Sequence, residues 1–255
     1  SNNTAVGYQA GYLNTTGATN TAVGSFSLLN STTANGNSAF GYASARDNTT
    51  GGNLSALGYF ALESNTTGSN NVAVGTEALT SNTTASNNTA VGYHAGYSNT
   101  TGAYNTFLGD IAGRDNTTGS SNTAVGYGTM FEGTTTGSSN TAVGTVSMQN
   151  LSSGSYNVAI GTDSLKANTT ADDNVAVGYQ ALYANTTGGN LTAVGKGALT
   201  ANTTANDNTG IGLRALGANT TGANNSALGR DSLLANTTGA SNTALGTFAL
   251  NSNTT

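Results

Sequence analysis

Apolar residues return to fixed places along this chain. The leading block, Asn3-Thr4-Ala5-Val6-Gly7-Tyr8-Gln9-Ala10-Gly11-Tyr12-Leu13-Asn14-Thr15-Thr16-Gly17, recurs to the end with substitutions. An anchoring glycine marks each copy, first at Gly7, Gly24, Gly41, Gly58 and Gly75 and last at Gly246. Each step is 17 residues except Gly126 to Gly144, which is 18. A unit this short buries no face alone and must stack on its neighbours. The pattern predicts an all-β fold, a single-stack β-solenoid of the β-roll or β-helix type. It has one 17-residue repeat per coil, about 15 coils, and residues 1–255 as one continuous repeat domain. At one strand spacing per coil, the stack is a rod on the order of 70 Å long.

The three residues before each glycine read as a short strand: Thr, Ser or Val, then Ala, then Val, Leu, Ile or Phe. Strand alternation puts the first and third on one face and Ala on the other. The larger apolar residue is expected inward, which makes Val6, Val23, Leu57, Val74 and Val91 core. The Ala column then faces the other way, toward a flat surface that approaches closely or into a tight corner. Four residues after the glycine comes Leu in most copies, including Leu62, Leu79, Leu165, Leu182 and Leu199, as a second core anchor. Gly7, Gly24, Gly41, Gly58 and Gly75 are expected at a corner, in a conformation closed to other residues.

Four residues before the glycine stands Asn, with Leu54 and Leu191 as exceptions. Identical Asn side chains one coil apart can hydrogen-bond up the column. Most blocks close on turn chemistry, Asn-Thr-Thr-Gly, with Ala in place of the Gly at Ala34, Ala85, Ala171 and Ala205 and the threonines placed for a ladder. The same tripeptide fits the N-glycosylation sequon. The candidate acceptors form one column: Asn14, Asn48, Asn65, Asn82, Asn99, Asn116, Asn168, Asn185, Asn202, Asn219, Asn236 and Asn253. Two readings stand here, a bare turn with a Thr ladder and a covalent glycan coat on some of these Asn or Thr residues.

Charge is sparse, at 7% of residues, and the formal net charge is −5. Six basic residues argue against a nucleic-acid partner, which needs a basic face. No apolar run approaches the ~20 residues that cross a bilayer, so no membrane insertion is expected of this segment. Few Lys, many Asn and Thr and no Cys suit an extracellular or cell-surface protein of a bacterium or archaeon. His94 is the lone histidine. No Ser-His-Asp set or metal-spaced His pair occurs, and Asp172-Asp173 lacks the calcium-binding nonapeptide around it. No catalytic residue, cofactor or metal is expected, and the chain does not read as an enzyme. Neither end carries a polar capping repeat, which points to a cropped longer protein or to copies stacking head to tail.

The motif Asn-Thr-Ala-Val-Gly, at Asn3–Gly7, Asn20–Gly24, Asn88–Gly92, Asn122–Gly126 and Asn140–Gly144, resembles the head repeats of trimeric autotransporter adhesins. It is also similar to repeats of bacterial surface fibres and phage tail fibres. The resemblance implies a left-handed β-roll, often trimeric, used in adhesion. The functional expectation is a structural protein of an extracellular filament or cell-surface fibre. It is built by head-to-tail stacking or lateral association of copies, with a glycan coat as an option. The alternatives are an adhesin or tail-fibre-like binding module and an ice-binding protein using Thr ladders.

Overall fold

The computed structural model describes residues 2–255. It carries fifteen strands of three residues each, paired in parallel and in chain order within each of two units, the wall of a β-solenoid with a 17-residue spacing. The chain falls into two compact units, Ser1–Tyr127 and Gly128–Thr255. The first holds β1 (Thr4–Val6) through β8 (Thr123–Val125), and the second β9 (Thr141–Val143) through β15 (Thr243–Leu245).

Within each unit the register is locked to the repeat. In the first, Thr4 pairs with Thr21, Ala5 with Ala22 and Val6 with Val23. In the second, Val158 pairs with Val175, Ala159 with Ala176 and Ile160 with Val177. The ladder does not stop at the strand ends. The Leu28 N–H donates to the Ser44 carbonyl at 3.0 Å, Thr15 N–H to Thr32 at 2.9 Å, and Phe26 N–H to Tyr8 at 2.9 Å. Corners and turns therefore bond to their equivalents one coil away, as strands do. This satisfies backbone groups that a thin core would otherwise leave bare.

The strands face the opposite way from the sequence expectation. Ala22, Ala39, Ala56, Ala73 and Ala90 are buried. Val6, Leu57 and Val91 are exposed at 58%, 50% and 38%, and Val23 and Val74 are half-buried. These five residues are not the core. Coil cross-section gives the reason. Leu62, Leu79, Leu165, Leu182 and Leu199 are fully buried and fill the space beneath the Ala column. At Gly210, which stands in that column, a Cβ would lie 3.2 Å from Leu199 Cγ. With Leu already inside, only a methyl fits opposite it. A Val or Phe there would overpack a coil closed at 17 residues. The Ala column thus faces the coil's own interior rather than a neighbouring surface.

Gly7, Gly24, Gly41, Gly58 and Gly75 turn the corner after each strand with φ between +131° and +147°. A Cβ at Gly75 would also meet the Gly92 carbonyl carbon at 2.7 Å. These positions combine a left-handed backbone with direct coil-to-coil contact, and only glycine meets both demands. The Leu column is left-handed too, with φ of 53° at Leu62 and 50° at Leu79. That conformation costs roughly 1–2 kcal/mol for a residue with a Cβ. Burying a Leu side chain contributes about as much or more in the other direction.

The 18-residue step lies in the second unit's first coil. The extra residue is taken up around Glu132, Gly133 and Thr134, which are exposed. Thr135 is buried where other coils place the sequon Asn, and its hydroxyl donates to the Leu151 carbonyl at 3.0 Å.

Candidate functional surfaces

Two asparagine columns run inside each unit. In the column before the strands, Asn37 donates from Nδ2 to the Gly51 carbonyl at 2.9 Å, and its Oδ1 accepts the Leu54 N–H at 2.9 Å. The same two bonds recur at Asn88, Asn105 and Asn225, each tying one coil to the next. Replacing Asn by Leu at Leu54 keeps the backbone half of this link, because Leu54 N–H still has Asn37 as acceptor.

The sequon column is equally internal. Asn48, Asn65, Asn82, Asn99 and Asn116 are buried in the first unit, and Asn168, Asn185, Asn202, Asn219 and Asn236 in the second. Asn14 and Asn253, in end coils, are half-buried. Each interior Nδ2 donates to a carbonyl three residues on, as from Asn65 to Gly68 at 2.9 Å. Most also donate to the preceding Asn: Asn65 to Asn48 Oδ1 at 2.9 Å, Asn82 to Asn65 at 2.8 Å, Asn219 to Asn202 at 3.2 Å. Where the second bond forms, both amide hydrogens are in use. In the folded coil these ten asparagines are ladder rungs with buried side chains. The spelling of a sequon is local, whereas its burial is set by the coil.

The two threonines of the tripeptide divide. The first sends its hydroxyl to the next coil's carbonyl: Thr49 to Thr66 at 2.9 Å, Thr66 to Thr83 at 3.0 Å, Thr100 to Thr117 at 3.0 Å. The second points outward. Thr16, Thr33, Thr50, Thr67, Thr84, Thr101 and Thr118 are exposed in the first unit, and Thr170, Thr187, Thr204, Thr221 and Thr238 in the second. The tandem therefore supplies one exposed hydroxyl rank per unit.

The sheet's outer face is the second regular surface. It carries one rank of Thr, Ser or Val and one of Val, Leu, Ile or Phe, and no charged residue occurs in any strand. Phe40, Leu57, Val91, Ile160 and Leu228 are exposed on it at 36% or more. The signal for this orientation was available in column variation. The outer rank changes freely among Val, Phe, Leu and Ile, while the inner Ala column is nearly invariant. An interior of fixed width tolerates one size, and a solvated face tolerates several.

Beside that face in the first unit stands an aromatic column. Tyr8 meets Phe26 edge to face at 5.4 Å, Phe26 meets Tyr42 at 5.7 Å, and Tyr42 stacks on Tyr59 at 5.5 Å. Tyr8, Tyr42, Tyr59 and Tyr93 remain exposed. His94 belongs to the same corner; its ring stacks on Tyr93, and its Nε2 lies 2.8 Å from Glu77 Oε2.

Charged side chains pair locally on the exterior. Arg46 holds Asp47 through two bonds and also reaches Glu63; Arg114 holds Asp115 the same way. Burial pushes the Glu63 carboxyl above its ordinary value, with Arg46 opposing. In the second unit, Asp231 is buried between Arg214 and Arg230. The Arg214 hydrogen bonds lower the Asp231 pKa, desolvation opposes them, and Arg230 adds to the lowering. These pairs fix side chains at the corners. Among the described residues, no group of three or more His, Asp or Glu is placed to hold a metal ion. Among the described residues, no helix is long and apolar enough to cross a membrane.

No protein-family model, curated protein or solved structure matches the chain.

Proposed function

We propose that this chain is a structural segment of an extracellular filament or cell-surface fibre of a bacterium or archaeon. The observation that carries the reading is the register. Equivalent residues 17 apart bond to one another through strand, corner and side-chain amide alike. Such a coil repeats one property, its own stackability, and spends its conserved geometry on length rather than on a pocket. Its polar exterior with few charges suits a surface exposed outside the cell.

The second threonine rank is the candidate place for a covalent coat, because its hydroxyls are exposed while the sequon amides are not. Association of copies end to end or side by side builds the fibre. Electron microscopy of the purified full chain tests the fibre. Filaments longer than one chain support it, and dispersed single particles at all concentrations overturn it. Intact mass tests the coat, since a mass equal to the bare 25.1 kDa polypeptide removes it.

A second reading, an adhesin or tail-fibre-like module, is favoured by the exposed Tyr8, Tyr42, Tyr59 and Tyr93. Exposed aromatic rings are common anchors at binding surfaces. Binding to a glycan or cell surface that disappears on replacing these tyrosines by Ala supports that reading; binding unaffected by the replacement removes it.

A further inference from the structure

We propose that the outer face of the β-sheet is a lateral interface with a second copy of this chain. The proposal deepens the fibre reading by naming its sideways partner. All-parallel sheets are almost always covered on both faces. Here one face is closed by the coil's own Leu column and the other is bare.

The bare face is uncharged in every strand, in a chain with seventeen charged side chains elsewhere. Contiguous exposed apolar surface marks interaction sites, and no charge interrupts it in the strands of this face. Each unit's face measures roughly 35–40 Å by 10 Å, from about 4.8 Å per strand and the length of three residues.

Three features select a second copy as the occupant. An identical face brings ranks with the same coil spacing, so side chains stay in phase over every strand. No charge is buried on either side, which avoids the largest cost of covering a surface. Outer residues such as Val74 and Val91 offer aliphatic surface for sheet-on-sheet packing, and Thr89 and Thr106 offer hydroxyls that can pair across it.

Mass per unit length of the full chain, by scanning transmission electron microscopy, reads the number of copies in cross-section whatever the particle length. The expected value is two 17-residue coils per ~4.8 Å of axis. The face variant Leu57→Lys/Val91→Lys/Val125→Lys is expected to fall to one coil, with pairing weakened at least ~100-fold by buried unpaired charge. The control Thr50→Lys/Thr84→Lys/Thr118→Lys, on the threonine corner, keeps two. Should the lysine variant fail to fold, Leu57→Thr/Val91→Thr/Val125→Thr replaces it, with a loss of about 10-fold expected. One coil in the wild type, or two in a folded face variant, overturns the proposal. Wild-type binding to an unrelated flat surface with one coil in cross-section overturns it equally. Length is a separate readout: short paired particles keep this interface and remove the fibre, and long filaments one coil wide do the reverse.

Discussion

Phe107 occupies an alanine slot, and Gly113 empties the leucine slot beneath it. The phenyl ring is fully buried, and a Cβ at Gly113 would collide with its Cδ1. On the other side, a Cβ at Gly96 would meet Phe107 Cδ2 at 2.7 Å. One large residue and two glycines thus replace the usual alternation of Ala and Leu within a constant cross-section. Gly113→Leu is expected to destabilise the chain by about 3 kcal/mol through overpacking, and Phe107→Ala by about 3–5 kcal/mol through the cavity it leaves. The triple variant Phe107→Ala/Gly96→Leu/Gly113→Leu restores the common packing and regains most of the loss. Denaturant midpoints of the set measure the coupling. Additive losses would show that these side chains do not meet.

The amide ladder has a gap at Ser31. Its hydroxyl and the Asn14 Oδ1 have no partner, and Asn48 donates to Gly51 without a second acceptor in its column. The serine is one bond too short to span coils about 4.8 Å apart. A half-open recess of about 50 Å³ lined by Asn14, Leu28 and Ser31 adjoins the gap. Ser31→Asn completes the column and is expected to stabilise by about 1–2 kcal/mol. Asn82→Ser opens the same gap elsewhere and costs at least as much. Thermal unfolding of the two variants gives the signs.

Gly75→Ala is expected to cost roughly 3–5 kcal/mol. The new methyl enters at φ +133° and strikes the Gly92 carbonyl group, which is backbone and cannot swing aside. A melting temperature within error of the wild type would show that the coils are not in this contact.

The period, the register and the strand positions are legible in the sequence, because a fixed spacing of Ala, Val and Gly has one stacking solution. The facing of the strand is not. Hydrophobicity alone ranks Val74 above Ala73 for burial, yet Leu79 already fills the interior and leaves only a methyl's width. The clue sits in the exceptions, where Phe107 in the Ala column coincides with Gly96 and Gly113 in the Leu column. The sequon column misleads for a related reason: Asn-Thr-Thr in a turn is ordinarily surface, and here the ladder draws Asn65 and Asn82 inside while Thr67 and Thr84 stay out.

Asp231 gives the second unit an acid-sensitive point. Its folded pKa lies below the ordinary carboxylate value, which is about 3.9. Between the two, the unfolded chain binds more protons, so stability rises with pH there. The contribution is present above the unfolded value and is lost as pH falls through the folded one. Asp231→Asn is expected to lower stability at neutral pH, with the difference from wild type closing on acidification below about pH 4. A difference constant across that range would contradict the pairing with Arg214 and Arg230.

The central claim is that 17 residues of chain advance the structure by one strand spacing. The chain has no cysteine, so spin labels on introduced pairs in the exposed threonine rank measure this directly by double electron–electron resonance. The samples are diluted with unlabelled protein to suppress signals between copies. For labels at Thr50/Thr118, Thr33/Thr118 and Thr16/Thr118, the expected separations are about 19, 24 and 29 Å, four, five and six spacings of ~4.8 Å. Separations that fail to grow in equal steps with each added repeat would contradict the stacked coil and everything built on it.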